Sequence, residues 1–202
     1  MSNQHKWASP STAGLVALAI ACFLFYGLLT GRIGPESLAL VGFWLLGGFV
    51  VQIVVAIIEL MEGKTSGGNI FLFFSSFFML TSGLSMIFKY FAIINGWAFD
   101  PIIEGYAWIV LFSVLLFYVP VYLRESPLVM NILVVSLVIA AFFIMATDLH
   151  LLPAADFSPI AGYFALASGI CGIYLAGAIA VNTSFGRMVL PVGKPLFAPK
   201  AQ

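Results

Sequence analysis

Charge is what this sequence lacks. Of its 202 residues only 8% are Asp, Glu, Lys or Arg, against 62% hydrophobic, whereas a water-soluble domain carries about 25% charged residues. A chain so poor in charge cannot cover a water-facing surface. Eight Lys and Arg balance eight Asp and Glu, so no cationic footprint exists to neutralise phosphates, and nucleic acid is excluded as a partner. The two cysteines, Cys22 and Cys171, lie inside apolar runs without CxxC or zinc-type spacing. That makes them small packing residues. HExxH, GxSxG, GxGxxG and Walker patterns are all missing, so the sequence reads as no enzyme and no cofactor is expected. His150 stands near Asp148 and Asp156, but a loop histidine beside two acids is ordinarily an exposed group, and no metal is expected there.

What the sequence does have is six long apolar runs, at about 12–29, 38–60, 70–94, 104–123, 128–147 and 159–181. Each approaches the ~20 residues that carry a helix across ~30 Å of hydrocarbon. They are too long and continuous for the strands of a membrane β-barrel. The fold class is therefore an all-α membrane protein, a six-transmembrane-helix bundle filling residues 1–202 as one domain. The segment Met1 to Pro10 shows no cleavage pattern, so the first run is expected to be a retained span. Gly and Pro cluster in the short connections, where helices must stop. The tail after Gly193 reads as disordered.

Short loops make consecutive spans antiparallel, which puts both termini on one side. Lys6, Lys64, Arg124, Arg187, Lys194 and Lys200 fall on that side, and only Arg32 and Lys89 on the other. This excess places both termini in the cytoplasm, in an inner or plasma membrane with lipids around the bundle. Trp7, Trp97, Trp108, Tyr118 and Tyr122 fall near span ends, where amphipathic rings settle at the headgroups.

No span carries a clear charge at depth: Glu59, Glu62, Asp100, Glu104, Asp148 and Asp156 all fall near run ends. A proton relay commonly places such groups near the midplane. Neutral polar residues concentrate instead in the third span, FLFFSSFFMLTSGLSMIFKY, where Ser75, Ser82 and Ser85 share one helical face. Gln52, Asn131, Ser136 and Ser168 add to them in other spans. An apolar path with a few hydroxyls suits a small solute with one polar end, although serines also let membrane helices pack closely.

Three segments resemble the acetate uptake transporter family, whose bacterial members include the succinate–acetate permeases. SPSTAGL, Ser9 to Leu15, is similar to the family's NPAPLGL signature. QIVVAIIELMEGKTSG supplies its glutamine, helix-end glutamate and glycine turn as Gln52, Glu59 and Gly63. IYLAGAIAVNTSFGRMVLPVG carries its closing pattern through Asn182, Phe185, Gly186, Arg187 and Pro191. The resemblance implies a homohexamer with a path for small carboxylates, chiefly acetate and possibly succinate, in each protomer. It puts Ser9, Pro10, Thr12 and Gly14 on the substrate route, with Ser9 and Thr12 departing from the signature. It also implies a narrow gate at Leu18, Phe74 and Leu137, with Ser75, Ser76 and Asn131 expected to donate to the carboxylate beside it. Arg187 is expected to meet Glu59, Glu62 or a headgroup. Channel and proton-coupled mechanisms both fit, as do a channel for ammonium or another small solute and a non-transporting scaffold or sensor.

Overall fold

The structure is a computed structural model and describes residues 8–197. Six helices are long and apolar enough to cross a membrane: α1 Ser11–Leu29, α2 Leu38–Met61, α3 Thr65–Asn95, α4 Ile102–Glu125, α5 Leu128–Asp148 and α6 Ala154–Phe185. Among the described residues there is no strand. Gly63, Gly96 and Gly186 end α2, α3 and α6 in the left-handed region, with φ of +77°, +67° and +61°, a conformation that costs glycine nothing.

Two helices begin earlier than the apolar runs suggest. α3 starts at Thr65 rather than near 70, because the turn is only residues 62–64, with Gly63 in the left-handed region, and the segment Thr65–Asn69 is already helical. α6 starts at Ala154, with Pro153 at its N-cap and Pro159 inside it. Pro159 removes the amide that Ala155 would have received, yet Ala155 is exposed, so water can satisfy its carbonyl. Asp156 thereby joins the first turn of α6, where the helix dipole favours a carboxylate.

The helices neighbour one another in the order α4, α5, α6, α1, α2, α3, with α1 against α6 the most extensive contact. The ring does not close by backbone packing between α3 and α4. Side chains bridge that seam instead: Phe78 meets Trp108 and Phe73 meets Tyr118 edge-on, at 5.8 and 6.1 Å between centroids. Lys89 pairs with Glu104 further along. Leucines, phenylalanines and valines of α2, α3 and α4 point outward, Leu40, Phe43, Phe77 and Phe117 among them. In hydrocarbon such a surface carries no penalty.

Within α3, Phe74–Leu80 is π-helical. Each residue there turns through a smaller angle than in an α-helix, so the positions on either side change face relative to one another. Thr81 marks the wider turn, its hydroxyl donating to the Ser76 carbonyl five residues back at 2.9 Å. This shift separates Ser75 from Ser82 and Ser85, which α-helical spacing would have put on one face.

The closing motif is a folded return. Asn182 accepts from the amides of Val189 and Leu190 at 2.7 and 2.9 Å and donates to the Leu190 carbonyl at 2.9 Å. Tyr174 donates to the Pro191 carbonyl at 2.7 Å, and the Val129 amide to Val192 at 3.1 Å. The tail is therefore ordered to Phe197, whose amide reaches the Leu123 carbonyl at 3.1 Å, and the expectation of disorder after Gly193 is corrected that far. Arg187 is exposed on this return, and the ion pairs among the described residues are Lys64–Glu62 and Lys89–Glu104. The expected Arg187–glutamate contact does not form. Asn182→Ala removes three hydrogen bonds of the return, at exposed or part-buried groups that water can reach in part, at a cost of about 1 kcal/mol. We expect the tail of this variant to become protease-sensitive while the helix content by circular dichroism stays unchanged.

Candidate functional site

Both described chain ends, the 62–66 connection and the 125–127 connection meet at one end of the bundle, where Lys64 donates to Ser9 at 3.4 Å and the tail docks on α4 and α5. A cavity of about 460 Å³ opens there. Its apolar wall includes Leu15, Leu18, Phe71, Phe74, Val134 and Leu137, and its polar groups include Ser11, Gln52, Glu59, Lys64, Tyr122 and Glu125.

Beyond it lies a constriction with about 10 Å³ of free space, close to the least that can hold one water. Phe25, Phe74, Phe78, Trp108, Leu115 and Leu137 are among its walls. Phe78 is the hub of this ring, stacking on Phe25 at 5.1 Å and meeting Phe74 and Trp108 edge-on at 5.3 and 5.8 Å. A third cavity of about 190 Å³ follows near the opposite end, with Thr81, Ser82, Ser85, Lys89, Glu104 and Asp148 around an apolar floor. Phe74, Leu115 and Leu137 bound both the first space and the constriction; Phe25, Trp108 and Ile144 bound both the constriction and the third. The three spaces are one interrupted track between the bundle's ends.

The expected gate residues converge: Leu18 from α1, Phe74 from α3 and Leu137 from α5 wall the same cavity. Gly14 is where α1 passes Phe71, with no room for a side chain, since a Cβ there would stand 2.6 Å from the ring. Gln52 donates to the Gly14 carbonyl at 3.4 Å, and its own Oε1 is buried without a partner among the described residues. The other carboxylate-binding candidates sit elsewhere. Ser75 is buried but donates to the Leu72 carbonyl at 2.7 Å, and neither Ser75 nor Ser76 lines any of these three spaces. Asn131 is buried with both polar atoms unpaired among the described residues, and it is its neighbours Met130 and Val134 that line the first cavity. Ser9 is exposed and Pro10 and Thr12 half-buried at the rim.

Several wall residues escaped the sequence reading. Trp108 and Tyr122, expected at the headgroups, are each only 9% exposed and line the track instead; Trp7 lies outside the described residues. A tryptophan near a run end carries no mark of which way it faces. Ser11 was passed over within the signature, yet its hydroxyl donates to Glu59. Glu59 itself, expected at the water boundary, is 4% exposed, with its carboxylate against Gly67 where a Cβ would stand 2.2 Å away. The glycine that follows the turn makes room for that carboxylate.

The family model described as the GPR1/FUN34/yaaH family matches residues 1–194. No match was found among curated proteins. A solved structure of the bacterial acetate channel SatP superposes with a TM-score of 0.75 at 22% sequence identity, covering 93% of this chain and 100% of that one. At that identity the likeness establishes the fold.

Proposed function

The chain belongs to the GPR1/FUN34/yaaH family, the acetate transporter family, and on that premise we propose that it conducts small carboxylates, acetate foremost, along the interrupted track. The observation that carries this reading is the sharing of walls between the three cavities, with the narrowest point ringed by Phe25, Phe74, Phe78 and Trp108. Such a ring resists hydrated ions, because stripping their water is costly and no carbonyl or carboxylate cage replaces it. A two-carbon acid presents a small apolar end to the rings and one polar end to the hydroxyls on either side. Leu18, Phe74 and Leu137 act as the gate, succinate is a larger substrate of the same path, and both termini face the cytoplasm by the excess of basic residues there.

Six such protomers assemble in this reading. Gly47 supports it, lying exposed on α2 with nothing within 4 Å of where a Cβ would stand, so another backbone can approach closely.

A second reading, carriage of a cation such as ammonium or of the neutral acid, draws on the charges at the two mouths. Glu59 and Glu125 face Lys64 in one, Glu104 and Asp148 face Lys89 in the other. Each mouth thus has an excess of acid.

Uptake of labelled acetate into liposomes holding the purified protein separates these readings, with pH and voltage clamped independently and succinate, formate and ammonium as competitors. We expect flux that follows voltage, with formate competing. Accumulation that follows the proton gradient, beyond the protein-free leak, identifies coupled transport. Ammonium flux without acetate flux identifies the cation reading. A folded oligomer that moves none of them overturns transport and leaves a scaffold or sensor.

A further inference from the structure

We propose that Ser85 and Lys89 form a carboxylate-recognition subsite at the mouth opposite the termini, occupied at rest by the protein's own Glu104, which a substrate carboxylate displaces on entry. This rests on the carboxylate-transport reading above and names where the substrate is first held.

Ser85 and Lys89 are four residues apart on α3, hence one above the other on one face. Together they engage both oxygens of Glu104 from the first turn of α4: the Ser85 hydroxyl donates to Oε1 and the Lys89 ammonium to Oε2. A hydroxyl and an ammonium that each take one oxygen of a carboxylate are a receptor for that group, whoever supplies it. The receptor is within reach of water, with the Lys89 and Glu104 side chains 18% and 27% exposed.

Three features separate this pair from a simple tie between helices. First, although the pair helps bridge the α3–α4 seam, it also stands on the wall of a cavity of about 190 Å³, several times the roughly 30 Å³ share of one liquid water. Second, the cavity floor is Phe25, Leu29 and Trp108, an apolar surface for an acid's aliphatic end. Third, Trp108 and Phe25 are also walls of the constriction, so an acid held by Lys89 already touches the next step of the track.

The charged groups facing Lys89 are Glu104 from α4 and Asp148 from α5, while α1 contributes only Phe25 and Leu29. With both acids in place an incoming anion meets an acidic excess. When Glu104 swings out, its place beside Lys89 passes to the substrate, and the charge count at the subsite is conserved. Glu104 is then an internal competitor that sets how much external carboxylate is needed to load the path.

The test is acetate flux from the mouth opposite the termini, in vesicles whose orientation is established by protease protection of the terminal tail. Lys89→Met should raise the KM roughly tenfold, the scale of one lost charge-assisted contact. Glu104→Gln should lower the KM severalfold, and Ser85→Ala should raise it by less than Lys89→Met. The opposite signs are the signature. A structural tie predicts that Lys89→Met and Glu104→Gln harm transport together, and that result overturns the proposal, as does a KM unchanged in both. If Lys89→Met does not yield folded oligomer, Glu104→Gln decides alone, because a KM that fails to fall refutes internal competition. Wild-type protein without any acetate flux overturns the transport reading itself, a result distinct from flux with variants of the wrong sign.

Discussion

Phe74→Ala should raise acetate flux about tenfold, a barrier change of about 1.4 kcal/mol, and should shift the size cut-off towards acids larger than those wild type carries. Phe74, with Leu115 and Leu137, walls both the 460 Å³ cavity and the constriction, and it is the aromatic side chain among the three. Its ring also props Phe78 edge-on at 5.3 Å, so its loss frees the hub of the aromatic cluster to turn. Phe78 still stacks on Phe25 at 5.1 Å, which keeps the opening partial and preserves resistance to hydrated inorganic ions. Flux and size cut-off would be measured on oligomer shown to be intact by size-exclusion chromatography. Unchanged flux and unchanged cut-off in that material would remove Phe74 from the gate. The companion Phe78→Ala should give the larger opening, because it removes three ring contacts at once.

Gly42→Ala should all but eliminate folded protein, at a cost of about 3 kcal/mol from overpacking. At this crossing α2 and α3 touch backbone to backbone. A Cβ on Gly42 would stand 2.5 Å from the Gly83 carbonyl oxygen and 2.6 Å from Ile87; one on Gly83 would stand 3.0 Å from the Gly42 carbonyl. Neither carbonyl can yield without displacing its helix, so the two spans must separate. Separation would move the π-helical segment of α3 and with it Phe74 and Phe78. Gly47→Ala on the same helix is the control, because nothing lies within 4 Å of its Cβ position. We expect normal protomer folding from Gly47→Ala and loss of monodisperse, thermally stable protein from Gly42→Ala. A Gly42→Ala protein that extracts and melts like wild type would mean that the crossing adjusts freely. Loss of the oligomer alone in Gly47→Ala would mark that face as the contact between protomers.

Much of this architecture was legible as pattern. The six runs gave six helices because hydrocarbon demands both apolar side chains and internally paired backbone, and both demands are written locally. The misread ends, Thr65 and Ala154, followed from treating glycine and proline as breakers where a single left-handed glycine or an exposed carbonyl is enough. For the site, Leu18, Phe74 and Leu137 were proposed through resemblance, and all three line one cavity. Ser75 and Asn131 were chosen as polar groups in apolar runs, but polarity does not say whether a side chain faces a cavity or satisfies its own helix. Ser75 does the latter.

The sequence by itself determined the solvent, the number of spans, the family and the side of the bundle where basic residues collect. Each depends on composition or on residues close together in the chain. Only the tertiary structure decided which faces turn inward: that Trp108 walls a constriction, that Glu59 is buried beside Ser11, and that Lys89 shares Glu104 with Ser85. In a membrane the usual clue to facing is lost, because lipid and protein interior are equally apolar and an outward phenylalanine reads like an inward one. The π-helical stretch at Phe74–Leu80 compounds this by shifting the face of every later residue of α3. Only the path of the backbone records that shift.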